Sequence, residues 1–351
     1  MKAVVIEKPF HATIVDCATP SIAPNQVLVR VGAVGICASD VEVYEGTRPA
    51  DYVRYPCQPG HEWAGTVVAV GSEVAHLKLG DRVAVEGHHF CGKCYFCQRG
   101  QTNLCQHYNE FGFTLPGAYA DYVAVRADLA HPFTPDLPFE VAALTEPAAC
   151  AGHGLLRAGV QSGDTVAVIG PGTIGLLGVA WAKALGAGRI IAVGVDRNNE
   201  GFARAVGATD YVTLAEGADT QVKAMTDGRG ADVVFESAGN PQAVLLAFDL
   251  VRRGGTVVQV GIAGGDHHIR LSPDLACLKD LRLHGVFAYT SAVFVETLRR
   301  IENGALNVRP LITHRLPLAQ FAAGLALLKH KPEPVVKTVL MVNDQWLMVN
   351  G

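Results

Sequence analysis

The stretch Val166–Ala187, "VAVIGPGTIGLLGVAWAKALGA", decides how the second half of this chain folds. It reads as a short apolar strand, a glycine turn and a helix, with Gly170, Gly172 and Gly175 in G-x-G-x-x-G order. In such a unit the first glycine makes the tight turn and the second lets backbone approach a pyrophosphate. The third lets the helix pack close against the strand. Backbone N–H groups at the helix start, around Thr173 and Ile174, then face the phosphates. A glycine triplet alone is weak evidence; the strand before it and the helix after it make this a dinucleotide-binding signature.

Working outward, the runs "DTVAVIG", "RIIAVGV", "ADVVFES" and "GTVVQVGI" are short and continuously apolar, with helical segments such as Thr173–Leu185 and Asn240–Val251 between them. That texture predicts a parallel sheet covered on both faces. Upstream of about residue 155 the pattern differs. "QVLVRVGAVG", "GTVVAVG", "DRVAVEG" and "YADYVAV" alternate partially between Gly and Pro punctuation, which suits antiparallel strands with one solvated face. After "RLHGVFAYT" the pattern is mixed, with a helix-like "SAVFVETLRRIENG" and a closing "VVKTVLMV" strand. The expected division is residues 1–151, a nucleotide-binding 152–285, and a tail, 286–351, that returns to the first part and makes it discontinuous.

The totals narrow the function. At 351 residues, 49% hydrophobic and 18% charged, the chain has room for two globular domains. A formal charge of -4 gives no reason to expect nucleic acid or an anionic membrane as partner. "MKAVVIEKPF" is too polar for a signal-peptide core, and "TIGLLGVAWAKALGA" is broken by Lys183 and too short to cross a bilayer. The expectation is a cytoplasmic protein. Without an export signal, the nine cysteines argue for metal binding over a disulfide framework.

Four of those cysteines cluster in a lobe at about residues 88–108. Cys91, Cys94, Cys97 and Cys105 have gaps of two, two and seven residues. Short gaps let successive thiolates converge on one ion, and the longer excursion closes a tetrahedron. Four thiolates leave zinc no open position, so a zinc here is structural. The spacing does not match the usual iron–sulfur runs, and no thioredoxin-like unit surrounds Cys94-x-x-Cys97.

An open metal site needs other ligands. "GICASD" supplies Cys37, "PGHEWAG" supplies His61 and Glu62, and "LTEPAAC" supplies Glu146. One thiolate, one imidazole and one or two carboxylates suit zinc and leave a position free. Such an ion acts as a Lewis acid that lowers the pKa of an alcohol. Taken singly, each residue has an ordinary reading: a core cysteine, a hydrogen-bonded His-Glu pair, a Glu-Pro at a helix start. Their joint occurrence with the lobe and the glycine turn carries the catalytic reading.

The strand "RIIAVGV" should end at a residue that reads the adenosine ribose. Nineteen residues beyond Gly175 stands Gly194, which has no side chain, followed closely by Asp196 and Arg197. A missing carboxylate beside an arginine favours NADP; Asp196 turned back to the ribose would favour NAD.

Together "GICASD", "PGHEWAGTVVAVG", "GDRVAVE", the cysteine lobe, "TEPAAC" and "GPGTIGLLGVAWAKALGA" resemble the zinc-dependent medium-chain dehydrogenase/reductase family, end to end. The nearest resemblance is to its sorbitol/polyol and threonine dehydrogenase branches, where glutamate stands at the position of Glu146; "EPAACAGHGLLRAG", with His153, supports that branch. The resemblance implies a GroES-like β-rich catalytic domain plus a Rossmann NAD(P) domain, with the active site in the cleft between them. It implies a catalytic zinc held by Cys37, His61 and Glu146, with Glu62 as alternate ligand, and a structural zinc on Cys91, Cys94, Cys97 and Cys105. Ser39 would relay the alcohol proton, and Val260 and Phe287 would join the glycine turn in lining the cofactor. A homodimer or homotetramer formed through the Rossmann domain is also implied. Three positions depart from the pattern: Glu42 at a second relay position, Ala288 at a substrate-reading arginine, and Gly194 at the NAD-selecting aspartate.

The expected activity is reversible, zinc-dependent, NAD(P)-linked oxidation of a secondary alcohol on a small polar molecule: a polyol, sugar alcohol, diol or amino alcohol. A zinc-free NADPH reductase of quinones or enones, or a cofactor-sensing protein of the same fold, would not need the ligand set Cys37, His61 and Glu146.

Overall fold

The computed structural model describes residues 1–265 and 267–342, so residues 343–351 of the expected C-terminal part lie outside the described residues. The chain forms two compact units. One comprises Met1–Glu146, Thr290–Asn303 and the chain from Ile312 on; the other comprises Pro147–Tyr289 and Gly304–Leu311. The change of unit falls inside the helix Thr145–Ala158.

The first unit is built on a seven-stranded sheet around the long strand Gln26–Gly35. That strand pairs antiparallel with Glu62–Val70, Tyr122–Arg126 and the C-terminal Lys337–Met341. It pairs with Glu62–Val70 along one edge, with register irregularities at Leu28/Val29 and Val31/Ala33, and on the other edge first with Tyr122–Arg126 and then with Lys337–Met341. Its inward residues Val27, Val29, Val31 and Val34 join Trp63, Val83, Val85, Val123, Leu340 and Tyr119 in the core. The return of the tail to this sheet has a simple cause. Val339, Leu340 and Met341 are fully apolar and buried, and the register Val339↔Gly35 places them beside "GIC".

The second unit has six parallel strands in the order Asp210–Thr213, Arg189–Gly194, Thr165–Ile169, Ala231–Glu236, Val251–Gln259, Arg282–Gly285. Numbered within the unit, this is the 3-2-1-4-5-6 arrangement of a dinucleotide-binding sheet. The order reverses between Thr165–Ile169 and Ala231–Glu236, and ligands of such sheets bind at the carboxyl ends of strands at that point. Helices Thr173–Ala184 and Pro241–Leu250 cover it. Asn240 caps the second, its side chain accepting from the Ala243 N–H, with Pro241 at the first helical position. Among the described residues no helix is long and apolar enough to cross a membrane.

Candidate active site and metal centres

In the cysteine lobe, the sulfurs of Cys91, Cys94, Cys97 and Cys105 all lie within 4.8 Å of one another. The Sγ–Sγ distances are 3.5 Å for Cys94–Cys97 and 4.0 Å for both Cys91–Cys97 and Cys94–Cys105. A tetrahedral zinc with bonds of about 2.3 Å sets its sulfurs about 3.8 Å apart. A disulfide needs about 2.05 Å. The geometry fits four thiolates around one ion. Backbone N–H groups of Cys91 and His107 also point at the Cys105 sulfur, at 3.2 and 3.3 Å, as they would toward a thiolate. N–H groups of Cys97 and Gln106 pull Cys94 down to about 6.

The second group is assembled from distant segments of the same unit. Cys37 stands immediately before the helix Ala38–Glu45. His61 and Glu62 enter the strand Glu62–Val70, where Glu62 pairs with Gly35. Ligand atoms of Cys37, His61 and Glu62 lie within 4.8 Å of one another. Glu146 is buried beside this group and not within it: an added Cβ on Gly87 would lie 3.2 Å from its Oε1 and 3.1 Å from the His61 carbonyl. Two glycines make the room. A Cβ on Gly35 would overlap Glu62 Oε2, and one on Gly60, at φ +99°, would overlap the Tyr119 ring. Ser39 sits half-buried in the first turn of the Cys37 helix.

Two partners were not among the residues singled out in the sequence. Asp40 is buried, and its Oδ2 accepts from the Cys37 N–H at 2.8 Å and from the Tyr119 hydroxyl at 3.3 Å. Its Oδ1 lies 3.8 Å from His61 Nδ1, so a carboxylate backs the imidazole as it does in many metal sites. Lys337, fully buried, donates to both Glu62 oxygens at 2.8 and 2.6 Å and to the Ile36 carbonyl at 2.9 Å. A signal existed for each. Asp40 follows Cys37 at capping distance, and a lysine inside "VVKTVLMV" is a charge in an otherwise apolar strand.

Charge in this site is unbalanced. Burial pushes Asp40 above its usual range, against His61 and the Cys37 N–H. Burial also raises Glu146 to about 8, opposed by His61 and reinforced by Glu62 and Glu110. On His61 burial works against a proton, yet the Cys37 sulfur, Asp40 and Glu146 outweigh it and hold the imidazole well above its ordinary value. Four carboxyl groups (Asp40, Glu62, Glu110 and Glu146) thus face one ammonium, one imidazole and the Arg48 guanidinium, which lies 3.4 Å from Glu110. Asp40 Oδ1 and His61 Nδ1 are buried without a hydrogen-bond partner. Buried charge of one sign is costly unless compensated, and a bound dication would supply the compensation. The donor set fits zinc.

In the second unit each glycine of the turn has its own reason. Gly170 has φ +84°, and a Cβ there would sit 2.7 Å from the Ala238 Cβ. Nothing lies within 4 Å of the Cβ place on Gly172, which leaves backbone open to a pyrophosphate. At Gly175 a Cβ would overlap the Gly170 carbonyl. The Ser237 hydroxyl donates to the Ile169 and Gly170 carbonyls, at 2.9 Å each, and ties the turn to the neighbouring strand. Thr173 and Ile174 begin the helix and are half-buried. Val260 follows the strand Val251–Gln259, its N–H donating to the Glu236 carbonyl at 2.9 Å, and Phe287 is exposed. Gly194 closes its strand. Asp196 accepts from Asn198 through both carboxylate oxygens, and Arg197 pairs with Glu200 and Glu216. Ala288 has φ +46°, and its carbonyl is 3.0 Å from His153 Nδ1.

Comparison with known proteins accords with both units. Residues 23–136 match the alcohol dehydrogenase GroES-like domain, and residues 173–303 match the zinc-binding dehydrogenase family. The chain is 37% identical over 324 residues to a sorbitol dehydrogenase of Bacillus subtilis, covering 91% of each. It is also 37% identical to an erythritol/L-threitol dehydrogenase of Mycolicibacterium smegmatis, covering 95% of this chain and 96% of that one. A zinc-binding dehydrogenase from Sinorhizobium meliloti bound to NADP superposes with a TM-score of 0.89 at 30% identity, over 97% of this chain and 98% of that one. The chain belongs to the zinc-type medium-chain dehydrogenase/reductase family. It is an NAD(P)-dependent alcohol dehydrogenase of GroES-like and Rossmann domains.

Proposed function

We propose that this enzyme reversibly oxidises a secondary alcohol of a small polyol, sugar alcohol, diol or amino alcohol to the ketone, with zinc and a nicotinamide dinucleotide. The observation that carries this reading is the acid-rich group of Cys37, His61 and Glu62 with Glu146 beside it. The sorbitol and threitol relatives support the polyol class. Zinc, when bound there, supplies Lewis-acid polarisation of the alcohol, and the nicotinamide accepts the hydride that leaves its carbon. Cys37, His61 and one of Glu62 or Glu146 hold the ion. Asp40 orients His61, and the Ser39 hydroxyl takes the alcohol proton outward. The products are the ketone, the reduced nicotinamide and one proton.

Further parts belong to the same proposal. Cys91, Cys94, Cys97 and Cys105 hold a second, structural zinc, making two per chain. NADP is the preferred cofactor, an assignment resting on Gly194 with Arg197 nearby. The strand Arg282–Gly285 is a sheet edge with Leu283 exposed and Leu278 exposed close by, a surface suited to pairing with a second copy in a homodimer or homotetramer. A cytoplasmic setting suits the reduced thiols of the lobe.

Initial rates of nicotinamide reduction with polyols, diols and amino alcohols, using NAD⁺ and NADP⁺ side by side, test the reading, with zinc content measured on the same samples. Turnover on one class with about two zinc ions per chain is the expected result. Zinc-replete protein that binds cofactor yet stays silent across the panel would overturn the substrate class.

A further inference from the structure

The ribose end of the dinucleotide site is shaped from an unexpected direction. The strand Asp210–Thr213 lies beside Arg189–Gly194, with Tyr211 opposite Ala192 and Thr213 opposite Gly194. Tyr211 leans along the sheet so that its hydroxyl donates to the Asp196 carbonyl at 2.8 Å. A Cβ added at Gly194 would overlap that hydroxyl, lie 3.0 Å from the ring carbon bearing it, and lie 2.8 Å from the Asp196 carbonyl that the hydroxyl holds. A side chain at 194 therefore cannot coexist with Tyr211 in this position. Gly194 is the consequence of Tyr211 as much as a statement about the cofactor.

The charged groups of the loop are spoken for as well. Asp196 is folded onto Asn198, at 2.9 Å to its N–H and 3.0 Å to its side-chain amide. Arg197 reaches Glu200 at 2.7 Å and Glu216 at 3.1 and 2.7 Å. Those carboxylates differ in what else holds them. Glu200 also receives two hydrogen bonds from Arg204, at 3.0 and 2.8 Å, so it stays paired if Arg197 leaves. Glu216 would keep only Thr213, whose N–H lies at 3.1 Å from its other oxygen and whose side chain also bonds it, and no second cation. Glu216 therefore competes most directly for Arg197.

We propose that the end of the strand Asp210–Thr213 sets this enzyme's choice of dinucleotide: Tyr211 forecloses a ribose-reading carboxylate at 194, and Glu216 restrains Arg197 from a 2′-phosphate. This rests on dinucleotide binding at the glycine turn and deepens it. With no carboxylate at 194, a 2′-phosphate meets no fixed negative group from that strand. Its attraction to Arg197 is set against the hold of Glu216. The site would admit both dinucleotides with NADP preferred, and the ion pair tunes the margin.

Equilibrium titration with NADH and NADPH, read by nicotinamide fluorescence, tests this without turnover. Glu216→Gln keeps an oxygen for the Thr213 N–H and removes the competing charge. It should raise the ratio of NADPH to NADH affinity about two- to fivefold, the range for an exposed ion pair. Adding Arg197→Gln to that variant should erase the gain. Gly194→Asp alone should weaken both dinucleotides, whereas Gly194→Asp with Tyr211→Ala, which also releases the Asp196 carbonyl from its hydrogen bond, should restore NADH binding and shift the ratio toward NADH about tenfold or more. Thermal melting of each variant separates misfolding from a lost site. If Gly194→Asp with Tyr211 intact binds NADH tightly, Tyr211 has no such role. An unmoved ratio in Glu216→Gln overturns the role of Glu216. Wild-type protein that binds neither dinucleotide would instead sink the reading of the glycine turn.

Discussion

Replacing Lys337 by methionine should cost the protein far more than an ordinary surface change. Both members of the Lys337–Glu62 pair are almost completely buried, their atoms are 2.6 Å apart at closest, and the lysine also binds the Ile36 carbonyl. Methionine has nearly the length of lysine, so the volume is kept and the change isolates the charge. Removing one partner of a buried pair leaves the other uncompensated, a loss of about 3–5 kcal/mol. In this site the stranded group is Glu62, next to Asp40 and Glu146, which gives it no relief. Zinc would give it a partner, so the loss should be larger in chelated protein than in zinc-replete protein. The assay is urea unfolding of wild type, Lys337→Met, Glu62→Gln and the double variant, each with and without zinc. The double variant should recover at least about 2 kcal/mol of the summed losses, because a neutral pair replaces a lone charge. A loss below about 1 kcal/mol for Lys337→Met in chelated protein would refute the argument, since it would mean that Glu62 finds water or a proton at little cost.

Other expectations follow from the same geometry. Cys37→Ser and His61→Ala should each lower turnover by about a thousandfold or more while NADPH titration changes little; full activity in metal-free Cys37→Ser would defeat the metal mechanism. Cys94→Ala should lose one zinc equivalent and most of its folding yield, because a closed thiolate site contributes to folding; metal analysis and melting temperature report this. Gly35→Ala should displace the Glu62 carboxylate it would overlap, visible as weaker zinc retention during dialysis against a chelator. His88, which burial brings down to about 4, stays neutral in the folded protein. The unfolded chain takes up its proton near pH 6.5 and the folded one only near 4. Stability therefore falls as pH drops through that window, by up to about 3 kcal/mol. Unfolding midpoints at pH 7 and pH 5 should show a smaller difference in His88→Gln than in wild type.

Much of this protein was legible from residue order alone, and the reason is that the relevant interactions are local. A glycine turn needs its strand, its three glycines and its helix within one short span, so the spacing of Gly170, Gly172 and Gly175 is itself the structure. The cysteine lobe is similar: gaps of two and seven residues leave four sulfurs little choice but to meet. Continuous apolar runs announced the buried parallel sheet, and alternating ones the partly solvated antiparallel sheet, because side-chain period follows solvent exposure.

What only the tertiary structure decided depends on segments far apart in the chain. Lys337 meets Glu62 across most of the sequence because its strand buries Val339, Leu340 and Met341 against Gln26–Gly35. Spacing cannot encode that pairing. The same holds for Asp40 behind His61, for Glu146 standing beside the three-residue group, and for Tyr211 filling the space over Gly194. In each case a local pattern supplies a chemical group, but burial against a distant strand selects its neighbours and therefore its charge state and reach.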